Sequence, residues 1–398
     1  MPVSVERPPD AAAIARRLKQ ASDDKCAVVP LGGGTMLDLG APATPGALAL
    51  SLSRLNRVLD HQPANLTVKT EAGITLGALN AALAERGQML PLDPPFPDRA
   101  TVGGIIATNA SGPLRVRFGA ARDLLIGLRV ALTDGQIVHG GGDVVKNVAG
   151  YDLPKLFTGS LGTLGIITEA SFKIVPLPAH TATVVAAFAS LDHAAAHALQ
   201  VLHSPLLPSG VELLNPAAAS TLGLGAHYTS VVRFGGLKSA VGQQLRETEK
   251  WGHAQGAIQV DTVDADADLW ARLRDVMYEQ ATLCKLSVLP TQLREMGAAA
   301  EEIARAHGLT CTFQAHAVGV LLTALDGAEE QLVPAMTALR QATAARQGHL
   351  VVQRASRDVR SRVDVWGPTG NDFAVMQRLK ADFDPNHILN PGRFVGGL

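Results

Sequence analysis

Thirteen of the chain's 39 glycines fall between Ala100 and Ala170. They come in pairs and frames: Gly103-Gly104, Gly112, Gly119, Gly140 to Gly142, then Gly159, Gly162 and Gly165 at a spacing of three. Between them run β-rich stretches, Leu125 to Leu132 and Ile166 to Val175. Glycine in an apolar, strand-like setting marks a bulge or a place where something large comes close to the backbone. A series of such places, joined to a separate loop at Gly32-Gly33-Gly34-Thr35, predicts backbone wrapped along an extended, flat ligand. Taken alone, the Gly159-x-x-Gly162-x-x-Gly165 frame also reads as a strand with bulges.

The loop Gly32 to Thr35 follows a predicted short strand, Ala27 to Leu31. Successive glycine N–H groups can point into one concavity and hold an anion. No Lys or Arg lies between Ala27 and Arg54, so an anion here would be held by backbone dipoles. The same tetrapeptide also reads as a flexible turn. Upstream, Asp10 is placed as an N-cap for a helix carrying Ile14 and Leu18 to about Ala21. Downstream, Leu66 to Ala72 alternates as a strand. Thr75 then caps a helix with Leu76, Leu79 and Leu83, ended by Gly87.

At 398 residues the chain exceeds one ordinary core, which predicts two domains. Pro176 and Pro178 end the glycine-rich region, and alanine then rises. Beyond them, predicted strands at 181–187, 211–214, 230–234, 309–313 and 318–324 alternate with helices at 191–202, 243–251 and 329–346. That is an α+β pattern with antiparallel sheet. With 35 basic and 36 acidic residues, nucleic acid is excluded as the main partner. Three scattered cysteines and no signal-like amino terminus point to a cytoplasmic protein. Its apolar runs are too short to span a membrane, so membrane association would come through partners.

Several chemistries lack their motifs. There is no G-x-G-x-x-G after a strand, no Gly-Lys dipeptide, no H-E-x-x-H and no G-x-S-x-G. His193 and His197 share a helix face but have no third metal ligand, so they read as two solvated histidines and no metal site is expected.

Six ordered segments carry a family resemblance: PLGGGT (Pro30 to Thr35), EAGITL (Glu71 to Leu76), ATVGGIIATNASGP (Ala100 to Pro113), FGAARD (Phe118 to Asp123), KNVAGYDLPKLFTGSLGTLGIIT (Lys146 to Thr168) and FDPNHILNPGRF (Phe383 to Phe394). Together they resemble the FAD-linked oxidases of the vanillyl-alcohol oxidase and p-cresol methylhydroxylase (PCMH) type. The resemblance implies an α+β fold. A two-subdomain PCMH-type FAD-binding domain would cover residues 1–178, an α+β cap domain with antiparallel sheet 179–375, and a C-terminal segment, 376–398, would return to the FAD domain. It implies that Gly32, Gly33, Gly34 and Thr35 cradle the pyrophosphate of FAD. Thr101, Gly103, Gly104, Thr108, Ser111 and Gly112 would run along the diphosphate and ring, with Gly119 near the ring. Gly165 and Ile166 would face the adenosine end, and Asn390 would return to the flavin. No histidine lies in 32–40 or 100–119, so FAD is expected to be noncovalent.

Within the family, the VVKNVAGYDLPKLFTGSLGTLG run and VDVWGP (Val363 to Pro368) look most like the smaller flavin subunit of bacterial glycolate oxidase. That likeness implies a larger flavin subunit and an iron–sulfur subunit as partners, with a small 2-hydroxy acid, glycolate, oxidised to glyoxylate. An assembly subunit without turnover, or a free-standing FAD-dependent 2-hydroxy-acid dehydrogenase, are the alternatives. One segment departs from the family. Where relatives read His-Ala-Gly-Asp-Gly-Asn-x-His, this chain reads AHAVGVLLTAL (Ala315 to Leu325). His316 remains, without the acidic and second-histidine positions, and is expected to be a core or surface histidine. No catalytic residue is assigned.

Overall fold

The computed structural model describes residues 4–142 and 151–398, so the VVKNVAG stretch of the glycine-rich run lies outside the described residues. Two units emerge. The first takes the described residues up to Ser111, from Gly119 to Leu177 and from Pro368 to Leu398. The second takes Gly112–Phe118 and Pro178–Gly367.

In the first unit, the strands Ser4–Glu6, Leu48–Ser51 and Val28–Leu31 form a parallel sheet in that order. The helix Ala11–Asp23 buries Ile14, Leu18 and Ala21. Asp10 caps it, its carboxylate accepting from the Ala13 amide at 2.7 Å. A five-stranded antiparallel sheet follows the order Val58–Gln62, Thr67–Glu71, Ile166–Lys173, Leu125–Ala131, Ile137–Gly141. Thr75 caps the helix Leu76–Ala84, and Leu76, Leu79 and Leu83 are buried with both sheets in one apolar cluster.

The sequence pattern misled in two places. The doublet Gly103-Gly104 opens a helix, Val102–Thr108. Thr101 caps it by accepting from the Gly104 amide, and Asn109, at φ 48°, ends it. Gly103 lets this helix lie against the end of a strand, because a Cβ there would sit 3.0 Å from the Ala72 side chain. The Gly159–Gly165 frame is a series of turns, with positive φ at Gly159, Leu161 and Gly162. The strand begins only at Ile166.

The last stretch of the unit runs through the helix Phe373–Phe383 and then straps back over the parallel sheet. The Val28 amide donates to Ile388 O, and the Asn390 amide donates to Val28 O. Lys380 is 1% exposed. Its ammonium donates to Asp384 at 2.7 Å and to the carbonyls of Thr163 and Leu389 at 2.9 Å each. Asp384 in turn accepts from the Ile388 and Leu389 amides. Burial holds the Lys380 amine below its usual range, with Asp384 pulling the other way.

The second unit is an eight-stranded, wholly antiparallel sheet. Its strand order is Gln259–Val263, His180–Phe188, Tyr228–Gly236, Pro208–Leu214, Thr310–His316, Val320–Asp326, Leu283–Ser287, His349–Arg354. The helices Leu191–Leu202, Leu293–Ala306 and Glu329–Ala344 bury their apolar sides against one face, which presents Leu213, Phe313, Leu321 and Leu286. Among the described residues no helix is long and apolar enough to cross a membrane.

His197 corrects an expectation. It is fully buried, not solvated, because its side of the helix faces the sheet beside Phe188. Its Nε2 lies 3.1 Å from the Thr248 carbonyl, and burial pushes the ring's pKa down. The unfolded chain, whose histidine titrates near ~6.5, therefore takes up a proton that the folded state resists. Stability should be present above that pH and drain away as pH falls from ~6.5 towards the folded value, by at most about 1.4 kcal/mol per pH unit. Denaturant melts of the wild type and His197→Leu across pH 5 to 7.5 should show a shallower acid loss in the variant; parallel curves would count against this.

Candidate functional site

In the first unit a groove opens between three backbone segments. The loop Gly32–Leu37 forms one side as it leaves the parallel sheet, and the first turns of the helix Val102–Thr108 form the second. The third is the turn and strand start at Leu161–Ile167, with Asn390 and Arg393 of the C-terminal strap. Leu52, Ala72, Pro94, Pro95 and Ile105 complete apolar walls.

The chemistry is that of backbone dipoles. Among the described residues that line the groove, Arg393 is the only charged one. Its guanidinium is fully engaged, donating to Leu37 O at 2.7 Å, Leu39 O at 2.9 Å, Ala41 O at 3.1 Å and Asn390 Oδ1 at 3.3 Å. Asn390 Nδ2 donates to Leu161 O at 2.6 Å. The strap therefore fixes the Leu37–Ala41 loop and the Leu161 turn together. Among the described residues, no backbone N–H from Gly32 to Met36 donates to a protein acceptor. A row of such donors on a fixed loop fits a phosphate or diphosphate, and the apolar walls fit flat rings.

The three glycines are required for different reasons. Gly34 holds φ 73°. A Cβ on Gly33 would lie 1.6 Å from the Arg99 carbonyl, and one on Gly32 would lie 2.2 Å from Thr101 Oγ1. Two of the three therefore admit neighbouring protein rather than supply a left-handed turn. Thr108 Oγ1 donates back to Gly104 O at 2.7 Å within its own helix.

Of the sequence-predicted residues, Gly32, Gly33, Gly34, Thr35, Thr101, Gly103, Gly104, Thr108, Gly165, Ile166 and Asn390 line this groove. Ser111, Gly112 and Gly119 do not line it. Ser111 is buried, Gly112 begins a short segment of the second unit, and Gly119, at φ 79°, enters a turn whose Ala120 amide donates to Asp123 at 2.8 Å. Sequence reasoning missed Arg393, although it stands in the same NPGR turn as Asn390. Its visible signal was a lone cation three residues from a motif asparagine.

The second unit holds a separate polar cluster. His316 Nδ1 lies 2.7 Å from Glu212 Oε1, and Gln314 Nε2 donates to Glu212 Oε2 at 2.7 Å. All three side chains are buried. Glu212 is the acidic partner that His316 lacks in its own segment. It comes from a neighbouring strand paired in register, which no local motif reveals.

Comparison with known proteins identifies the family. Residues 2–141 match the FAD binding domain family, and residues 177–350 and 367–394 match the family described as FAD linked oxidases, C-terminal domain. The glycolate oxidase subunit GlcD of Bacillus subtilis is 28% identical over 99% of this chain and 89% of its own length. A D-lactate dehydrogenase of Archaeoglobus fulgidus is 28% identical over 99% and 91%. The glycolate oxidase subunit GlcE of Escherichia coli is 38% identical over 42% of this chain and 47% of its own length. The structure of p-cresol methylhydroxylase with substrate bound superposes with a TM-score of 0.79 at 17% identity, covering 98% of this chain and 88% of the other. The fold is thus the PCMH-type α+β fold.

Gly33→Ala places a methyl into the Arg99 carbonyl, and the loop must move to admit it. The variant should lose most of its FAD and melt several degrees lower, because the cost falls on the loop itself. FAD content after purification and the melting temperature check this. Unchanged FAD occupancy would show that the loop is not a cofactor cradle.

Proposed function

This chain belongs to the FAD linked oxidases, and from that premise we propose that it is the FAD-binding subunit of an assembly that oxidises glycolate to glyoxylate. The observation that carries the reading is the groove: a row of unengaged N–H donors, one fully engaged cation and apolar walls. The Gly32–Met36 amides would hold the diphosphate without a salt bridge, at roughly 1.5–3 kcal/mol for each hydrogen bond to a charged group. Leu52, Ile105 and Ile166 would flank the rings and keep water out. Thr101 keeps the helix start in place, and Arg393 with Asn390 keeps the two loops at a fixed separation. Bound FAD supplies the two-electron acceptor.

Glycolate and D-lactate are both 2-hydroxy acids, so the relatives named for them support that substrate class. Similarity to GlcD along the whole chain and to GlcE over part of it supports a glycolate oxidase assembly with a larger flavin subunit and an iron–sulfur subunit that receives the electrons. Purification of the tagged chain from its own cells should bring these partners down with it.

FAD is held noncovalently in this reading, since no His, Cys or Tyr is among the described residues that line the groove. Acid precipitation should therefore leave a colourless pellet and a yellow supernatant; a yellow pellet would reject it. The substrate test is anaerobic. Glycolate added to the purified assembly should bleach the flavin of this chain. Bleaching by D-lactate but not glycolate would move the substrate to the larger acid, a reading favoured by the match to the archaeal dehydrogenase. No bleaching by either would leave an assembly subunit that does not turn over.

A further inference from the structure

The second unit's sheet ends on one side in an unpartnered strand. Gln259–Val263 is its outermost strand and pairs only with His180–Phe188. On its other side, among the described residues, no backbone group bonds to it. Such an edge is a row of unmet N–H and C=O groups, a template for one more strand. Prolines and bulges commonly blunt edges of this kind. This strand has neither, and its five pairs run on without a break in register. Ile258, just before it, leaves 56% of its surface exposed.

What the edge does carry is negative charge on both faces. Val260 packs towards Gly252 of the helix Lys238–Ala254, and Thr262 Oγ1 donates to Glu249 of the same helix. Alternation therefore turns Asp261 to the opposite face. Asp264 follows just beyond the strand. Among the described residues none of these three acids pairs with Lys or Arg. Asp261 accepts from Gln259 Nε2 at 2.7 Å, and Asp264 lies 3.8 Å from His180. By contrast, the exposed Asp192, Asp268 and Asp358 of the same unit each pair with an arginine. No Lys or Arg occurs between Lys250 and Arg272.

The charge decides what can dock. Two copies of this strand side by side would bring their own acids together, and like charges across a strand pair are destabilising. Nor does the chain hold a complement elsewhere. Among the described residues, His349–Arg354 is the only other outermost strand with a Lys or Arg. It is engaged: the Val352 amide donates to Val365 O, and Arg354 donates to Tyr278 O. We propose that the edge Gln259–Val263 docks a different protein, which adds an extended strand rich in lysine or arginine to this sheet. Main-chain hydrogen bonds supply the affinity. The partner's cations meet Asp261 and Asp264 on one face and Glu249 on the other, and Ile258 is covered at the strand's start. The inference goes beyond the proposed function and does not depend on which acid is oxidised.

The test uses the FAD-loaded chain and a labelled synthetic peptide of about ten residues, alternating lysine with valine and threonine. One control carries glutamate in place of lysine. A second keeps the lysines but is methylated at every backbone nitrogen, so it has charge and no main-chain donors. Fluorescence anisotropy should show binding of the basic peptide alone. Raising salt from about 50 to about 500 mM should weaken it about tenfold. Hydrogen exchange of residues 259–263 should slow about tenfold or more when it binds. Asp261→Lys should weaken the basic peptide about tenfold and bind the glutamate peptide better than the wild type does, a reversal that a damaged fold does not produce. Its FAD content should be unchanged. In an assembly purified through this chain, the same amides should exchange slowly without any peptide.

Equal binding of the basic peptide by wild type and Asp261→Lys, binding of the methylated peptide, or protection away from residues 259–263 overturns the docking edge. A dimer of this chain protected at those residues overturns it too, since a second copy then lies there. If the edge fails while partners still purify with the chain, the proposed function stands and they dock elsewhere. If the peptide results hold and no partner purifies with the chain, the edge stands and the assembly reading falls.

Discussion

The buried ion pair of Lys380 and Asp384 is the contact on which the groove depends. Lys380 spends its three donors on Asp384, on the Thr163 carbonyl and on the Leu389 carbonyl. Asp384 turns the chain by accepting from the amides of Ile388 and Leu389, four and five residues along the strap. One four-residue step of helix thus joins the Leu161–Gly165 turn to the strap that follows the helix. Such a pair adds little net stability over apolar packing, but breaking it costs about 3–5 kcal/mol because the surviving charge stays buried. What it contributes is position. The strand Val28–Leu31, the strap and the Leu161 turn are held in one arrangement, and Arg393 extends that arrangement to the Leu37–Ala41 loop.

The groove follows from this frame. Its floor is backbone because glycines and helix starts bring main chain, not side chains, to the surface. Its donors are available because Arg393 ties down the chain just beyond the loop, through the carbonyls of Leu37, Leu39 and Ala41, and leaves the amides of Gly32–Met36 unused. A cation that holds the loop from behind replaces a cation in the site. This is why, among the described residues, a groove suited to a diphosphate carries no other charged lining residue.

The sequence was most informative where one periodicity or one cap decided the outcome. Asp10 and Thr75 cap the helices they were read to cap, and the helix Leu191–Leu202 was legible from its alternation with the strands around it. The glycine frames announced a backbone-lined site but not its local form. Gly103-Gly104 lies in apolar surroundings that suit a strand, and only Thr101, as a cap, distinguishes the helix. The strands Leu48–Ser51, Val58–Gln62 and Ile137–Gly141 are too short for a period to show. His197 looked solvated because a histidine among alanines carries no apolar stripe of its own. The Glu212–His316 pair was illegible for a deeper reason: register between strands is a property of the folded sheet, and the family's local motif around His316 is absent.

The strap also has a consequence in time. The Val28–Leu31 strand lies at the edge of its sheet, and its free side is closed by Leu389. Between the emergence of Leu177 and that of Asn390 a ribosome must make the whole of Pro178–Gly367, an interval on the order of tens of seconds at about 5–20 residues per second. Through that interval the edge stays open to any other strand, the hazard that a sheet edge presents to a crowded cell. The first unit therefore cannot mature ahead of the second. A nascent chain released early would carry the glycine loops with nothing behind them.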